Sequence, residues 1–158
     1  MAPGLISGEL SQAYDRLLGV IAAKPCWVAF SGGVDSTLVL KASLVVNPGQ
    51  VVALFADSLL QSSDDRENAR QIADLLGVPL QLVEFAPLEL AGFVCNSPER
   101  CYLCKKTIFH QFLGLLPVGA VLCDGTNGDD LALNRPGQRA NAELGVVSPL
   151  VLSGLGKR

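Results

Sequence analysis

The chain has 158 residues, 49% hydrophobic and 17% charged, with a formal net charge of −3. This length and composition support one domain with a real core and argue against disorder. The charge balance gives no bulk electrostatic case for a nucleic-acid partner. No apolar run reaches the length of a membrane span. Met1-Ala2-Pro3-Gly4 lacks the basic region and apolar core of a secretion signal. The expected location is therefore cytoplasmic, and the five cysteines point to thiol, metal or redox chemistry more than to structural disulfides.

Taken in order, Ser7 to Ala23 carries Leu10, Ala13, Leu17, Leu18 and Ile21 on one face and predicts an amphipathic helix. Residues 26–30 predict a first strand. Val34 to Val46 predicts a helix with Leu38, Val39, Ala42 and Val45 inward, and Asn47-Pro48-Gly49 a turn. Val51 to Ala56 is apolar throughout, as in parallel strands covered on both faces. Ser62-Ser63-Asp64-Asp65 supplies a cap and first-turn acids for a helix with Ala69, Ile72, Ala73, Leu75 and Leu76 inward, ended by Gly77. Pro79 to Phe85 alternates and reads as a strand nearer an edge. Pro87 to Phe93 reads as a short helix or irregular segment, and Cys95 to Arg100 as a loop. Cys101 to Leu116 predicts a helix with Ile108, Phe109, Phe112 and Leu115 inward, and Ala120 to Cys123 a fourth buried strand. The remainder is loop-rich, with a short helix near Gln138 to Leu144 and a segment from Val146 to Leu150. Alternating strands and helices imply an α/β fold with a doubly wound parallel sheet. Ligands of such sheets sit beyond the C-terminal strand ends.

The stretch Ser31-Gly32-Gly33-Val34-Asp35-Ser36 stands between the first strand and the second helix. A helix N-terminus there offers unpaired N–H groups and a positive dipole end, which attract phosphate. The two glycines allow close approach, Ser31 and Ser36 add hydroxyls, and Asp35 suits Mg2+. Together with Ala29 at the end of the strand, these form the candidate nucleotide site. The Walker pattern GxxxxGK(S/T) is absent. Asp57-Ser58 follows the second strand, where it can meet adenine or ribose. Asp124-Gly125-Thr126-Asn127 follows the fourth, and Gly125 and Thr126 join the nucleotide-binding set. Asp129 or Asp130 could aid Mg2+. Arg135 and Arg139 place guanidiniums in a later loop, suited to phosphate or carboxylate.

Cys101-Tyr102-Leu103-Cys104 opens a helix beside Arg100, Lys105 and Lys106. Those charges and the helix N-terminus should lower the thiol pKa values. Three readings stay open: a zinc site needing two more ligands, for which His110 and Cys95 are the candidates, a dithiol redox pair, and an iron–sulfur cluster needing a further cysteine. Cys26 and Cys123 lie in apolar strands and read as core.

SGGxDS resembles the signature of the PP-loop ATP pyrophosphatases, with their adenine nucleotide alpha hydrolase-like fold. Asn96-Ser97-Pro98-Glu99-Arg100-Cys101-Tyr102-Leu103-Cys104-Lys105-Lys106 resembles the NxPxRCYxCK segment of LarE-type ATP-dependent sulfur transferases. Asp124-Gly125-Thr126-Asn127, Asp129, Asp130, Arg135-Pro136-Gly137 and Ser148-Pro149-Leu150 are similar to that family's DGTNxDD…RPG…SPL run. The resemblance implies that ATP binds with Mg2+ and that a carboxylate of a pyridinium dicarboxylate mononucleotide attacks the α-phosphate. Pyrophosphate leaves, and a protein-bound sulfur then displaces AMP. The implied catalytic residues are Asp35 and Lys105, with Arg135 binding substrate. The sulfur comes from a cysteine or from a 4Fe-4S cluster on three cysteines, and Cys101 and Cys104 match the first two. The family's third cysteine lies in a C-terminal portion, so residues 1–158 are expected to be one nucleotide-binding domain lacking that portion. A homo-oligomer is compatible with this reading. The competing functions are tRNA thiolation or amide formation by another PP-loop enzyme, a non-catalytic nucleotide-binding module, and a metal-binding structural domain.

Overall fold

In the computed structural model, residues 8–59, 61–89, 98–133 and 135–156 are described. The chain runs α1 (Gly8–Val20), β1 (Cys26–Ala29), α2 (Val34–Val46), β2 (Val51–Asp57), α3 (Ser63–Leu76) and β3 (Leu80–Glu84). A 3-10 turn at Pro87–Glu89 precedes α4 (Arg100–Leu115), β4 (Val121–Cys123), α5 (Gly128–Ala132), α6 (Gly137–Leu144) and α7 (Pro149–Leu152). Cys95, Asn96 and Ser97 lie outside the described residues.

All strand pairs are parallel, in the order β3-β2-β1-β4. The chain winds outward from β1 through α2 to β2 and through α3 to β3. It then crosses back through α4 to β4, on the other side of β1. The winding direction therefore reverses between β1 and β4, where the diverging loops leave a crevice. The strand period of two sends alternate residues into two layers. Cys26, Val28, Ala53, Phe55 and Cys123 pack with Leu17, Val39, Leu40 and Ala69 of α1, α2 and α3. Trp27, Ala29, Val52, Leu54, Ala56 and Leu122 face Ile108, Phe109 and Phe112 of α4.

Local chemistry sets the element ends. Ser62 caps α3 by accepting from Asp65 N, and the Asp65 carboxylate accepts from Ser62 N in return. Gly77 then closes the helix in the left-handed region, at φ 69°. The same reciprocal cap, Asn127 with Asp130, starts α5, a helix the sequence pattern does not announce because it holds few apolar residues.

Some inward assignments change. Leu75 is 85% exposed, because Ala69, Ile72, Ala73 and Leu76 already make the i, i+3, i+4, i+7 stripe and Leu75 sits 100° off it. Val45 is likewise exposed, and Ser43 is buried in the inward row. Leu10 and Leu115 are also exposed, while Leu116 packs against the α4 layer. Cys26 and Cys123 are buried free thiols with sulfurs 3.2 Å apart. The Cys26 sulfur and burial push the Cys123 thiol up.

Candidate functional site

The loop after β1 is shaped by its glycines and hydroxyls. Gly32 sits at φ 83°, where a side chain is strained, and an added Cβ would lie 2.9 Å from Asn68 Nδ2. Asn68 also donates to the Gly32 carbonyl at 3.2 Å, which ties the loop to α3. Ser31 Oγ accepts from Gly33 N at 3.3 Å and lies 3.2 Å from Ser36 Oγ. Gly33 occupies the N-cap of α2 and makes no side-chain cap bond. The leading end of α2, with Asp35 in its first turn, therefore keeps its dipole directed outward.

The turn after β4 closes on that helix start. A Cβ on Gly125 would lie 2.7 Å from Ser36 N and 3.1 Å from the Asp35 carbonyl carbon. Only a glycine allows this backbone approach. Asn127, buried to 1% exposure, fastens the two loops: its Nδ2 donates to Asp35 Oδ2 at 3.0 Å. Its Oδ1 meanwhile accepts from Asp129 N and Asp130 N.

Asp124 is the buried hub beneath. Its Oδ1 accepts from Ser148 Oγ at 2.7 Å and from Thr126 N at 3.2 Å. Its Oδ2 accepts from Thr126 Oγ1 at 2.6 Å and Asn141 Nδ2 at 2.7 Å. Lys105 Nζ stands 3.3 Å from the same oxygen and 5.2 Å above the Phe109 ring. These contacts fix the Asp124 carboxylate, which with Thr126 holds the Lys105 side chain over the crevice.

These parts line a cleft of about 790 Å3 between α4 and the C-terminal end of the sheet. One wall is apolar, built from Ala29, Leu54, Ala56, Ile108, Phe109 and Phe112. The other end is polar, with Ser31, Gly33, Asp35, Ser36, Lys105, Gly125, Thr126 and Asp130. Gly32 supports the loop from behind.

Other expected site residues lie elsewhere. Asp57 faces a separate depression and pairs with Arg66 at 2.5 Å. Arg135 is mostly exposed and lies 3.6 Å from Asp130, at the rim of the cleft. Cys101 is exposed and Cys104 half-buried on the helix that walls the cleft, and neither lines it. The expected lowering of the thiol pKa fails at Cys104. Burial pushes that thiol up, Cys101 adds to the rise, and Arg100 opposes it. Among the described residues no group of three or more His, Cys, Asp or Glu side chains could hold a metal ion. Cys101 and Cys104 supply two of the thiolates that a 4Fe-4S cluster needs, and among the described residues no third ligand stands beside them. Mg2+ makes smaller demands: one or two carboxylates beside substrate phosphates suffice. Asp35 and Asp130, both lining the polar end, fit that donor set.

Lys106 and Arg139, the remaining basic residues of these segments, serve packing between α4 and α6. Both lie over the Tyr102 ring, and Arg139 pairs with Glu99. The Tyr102 hydroxyl, then Lys106, hold the Glu143 carboxyl below its usual range. Sequence reasoning placed Asp124 and Asn127 in the nucleotide-cradling turn and Ser148 in the family run without giving them these bonds, and it passed over Asn141. The cap pattern Asn127-x-x-Asp130 was the available signal for Asn127. Nothing local links Asn141 and Ser148 to Asp124.

No family model matches the chain. It is 37% identical over 126 residues to an uncharacterized protein of Synechocystis sp., covering 78% of this chain and 47% of that one. It is 34% identical over 126 residues to pyridinium-3,5-bisthiocarboxylic acid mononucleotide synthase of Lactiplantibacillus plantarum, covering 78% and 46%. The chain thus spans about half the length of the curated relatives it matches. Among solved structures, the NMN synthetase of Francisella tularensis superposes with a TM-score of 0.64 at 14% identity, over 89% of this chain and 64% of that one. The NH3-dependent NAD synthetase of Campylobacter jejuni gives 0.57 at 16%, over 78% and 58%. The α/β fold, a parallel sheet flanked by helices, is shared with the two synthetases, and the sequence is similar to about half of the Lactiplantibacillus plantarum synthase.

Proposed function

We propose that the chain carries the ATP-activating step of a sulfur transferase that acts on a pyridinium carboxylate mononucleotide. The observation that carries this reading is the Gly125 backbone resting against the first residues of α2. It closes the Ser31–Ser36 loop into a cradle at the switch point of the sheet. The apolar wall of Ala29, Leu54, Ala56, Ile108 and Phe109 buries the base. The N–H groups and dipole of α2 hold the α-phosphate. Lys105, aimed by Asp124 and Thr126, neutralises charge that develops on the departing pyrophosphate. When bound by Asp35 and Asp130, Mg2+ would supply further charge neutralisation at the phosphates.

The substrate carboxylate attacks the α-phosphorus. The bond to the β-phosphate oxygen breaks, pyrophosphate leaves, and an acyl adenylate remains. Arg135, at the rim beside Asp130, would meet an anionic group of the substrate. Cys101 and Cys104 are the candidate donors for the sulfur step. The substrate class follows the name of the Lactiplantibacillus plantarum relative.

Pyrophosphate release is the test. The chain, mixed with ATP, Mg2+ and pyridinium-3,5-dicarboxylate mononucleotide, should release pyrophosphate, and Asp35→Ala should abolish it. Release unchanged in that variant removes Asp35 from the mechanism, and no release from the unmodified chain overturns the reading.

A further inference from the structure

Two glycines in a row let the Ser31–Ser36 loop approach a ligand closely, and they also leave one peptide plane loosely determined. Glycine takes φ of either sign at little cost, so the plane between Gly32 and Gly33 can turn over without strain at either end. A trans peptide points its carbonyl and its N–H in opposite directions. A flip of that plane therefore exchanges a donor facing the cleft for an acceptor, and an acceptor there repels phosphate. The loop needs a tether from outside to fix this plane.

The next plane along is fixed by α2 itself. The Gly33 carbonyl accepts from Thr37 N at 3.0 Å, from Thr37 Oγ1 at 2.7 Å and from Ser36 Oγ at 3.3 Å. The Gly32 carbonyl is held from a different element, by Asn68 Nδ2 of α3 at 3.2 Å. Packing at Gly32 makes this bond possible. An added Cβ would lie 2.9 Å from Asn68 Nδ2 and displace it, and 3.5 Å from Ala69 N and Cα. The missing side chain at position 32 thus lets α3 close on the loop. With its carbonyl drawn to α3, the peptide turns the Gly33 N–H the other way. That N–H donates to Ser31 Oγ at 3.3 Å. Ser31 and Gly33 are both exposed and line the cleft. The bond is long for N–H···O, so an anionic oxygen entering the cleft outcompetes the hydroxyl for the donor.

We propose that Asn68 is a positioning residue for the nucleotide phosphates: by holding the Gly32 carbonyl on α3, it keeps the Gly33 N–H turned to the cleft. The inference rests on the reading of the cleft as an ATP site and adds a residue from outside the glycine-rich loop. Asn68 is exposed on α3 and does not line the cleft. Its effect is therefore confined to what the loop presents, and it falls on the phosphates and not on the base.

Equilibrium binding of ATP, and of adenosine as the phosphate-free probe, tests this on the unmodified chain and on Asn68→Ala. Alanine favours a helix more than asparagine does, which offsets the lost bond in the nucleotide-free protein, and a thermal melt without nucleotide checks that the fold is kept. ATP affinity should fall about fivefold, the worth of one hydrogen bond, while adenosine affinity stays as it was. Equal weakening for both ligands would mean that Asn68 only packs the loop, and it would overturn the proposal. Unchanged ATP affinity in Asn68→Ala would overturn it too, leaving the ATP site standing. If the unmodified chain binds no ATP, the ATP site itself falls and this proposal with it.

Discussion

Replacing Gly125 with alanine tests the cradle where it is tightest. The added methyl would sit 2.7 Å from Ser36 N, 3.0 Å from Ser36 Cα and 3.1 Å from the Asp35 carbonyl carbon. All three atoms are backbone at the start of α2, so no side-chain rotation relieves the clash. Either the β4 turn lifts or α2 recedes, and such overpacking costs about 1–3 kcal/mol. For a chain of this size that lowers the melting temperature by roughly 3–9 °C. Binding should suffer too, because the methyl crowds the Ser36 amide at the helix end proposed to meet phosphate. A loss of at least about tenfold in ATP affinity is expected, comparable to one lost charge-assisted hydrogen bond. Gly19→Ala is the control: it lies on the exposed side of α1, with nothing within 4 Å of its added Cβ. It should leave binding alone and raise stability by up to about 1 kcal/mol. Thermal melts with and without ATP, and calorimetric titration of ATP, read both quantities. A Gly125→Ala protein that melts and binds like Gly19→Ala would refute the argument that this contact builds the site.

Asp124→Ala strips the shared acceptor from Lys105, Thr126, Asn141 and Ser148. It should cost about 3 kcal/mol in urea denaturation and weaken pyrophosphate release more than ATP binding, since Lys105 loses its aim. Cys101 is exposed and the Cys104 thiol is pushed up by burial, so iodoacetamide at pH 8 should label Cys101 first, as peptide mass mapping reads. Faster labelling of Cys104 would refute that order. Glu143 titrates below its usual 4.5, chiefly through the Tyr102 hydroxyl. Its contribution is present above that value and fades as pH falls through the lower, folded one. Tyr102→Phe should therefore be the less stable protein at pH 7, by a margin that shrinks below pH 4.5. A margin constant across that range would assign the loss to packing.

Much of the fold was legible because its signals are local. The apolar runs of β1, β2 and β4, the cap at Ser62 and the stop at Gly77 each depend on a few neighbouring residues. The sequence pattern therefore placed each strand found among the described residues, and α3 nearly to the residue. It overreached at Leu75, Val45 and Leu115, where an apolar residue borders the stripe without belonging to it. Neighbouring apolar residues cannot say which of them meets the sheet. The Ser31–Ser36 loop was legible for the same local reason, since its residue types suit one kind of turn.

What the chain by itself determined was the glycine-rich turn between β1 and α2, the parallel sheet and a list of chemically able side chains. The tertiary structure decided which of those meet. Asp57 and the two thiols have suitable chemistry but lie outside the cleft. Asp124, Asn127 and Asn141 gained their roles from partners up to 92 residues away. The close approach at Gly125 exists only once β1 and β4 lie side by side. A residue type fixes which bonds a group can make, but packing fixes which partners come within reach and which are kept from water.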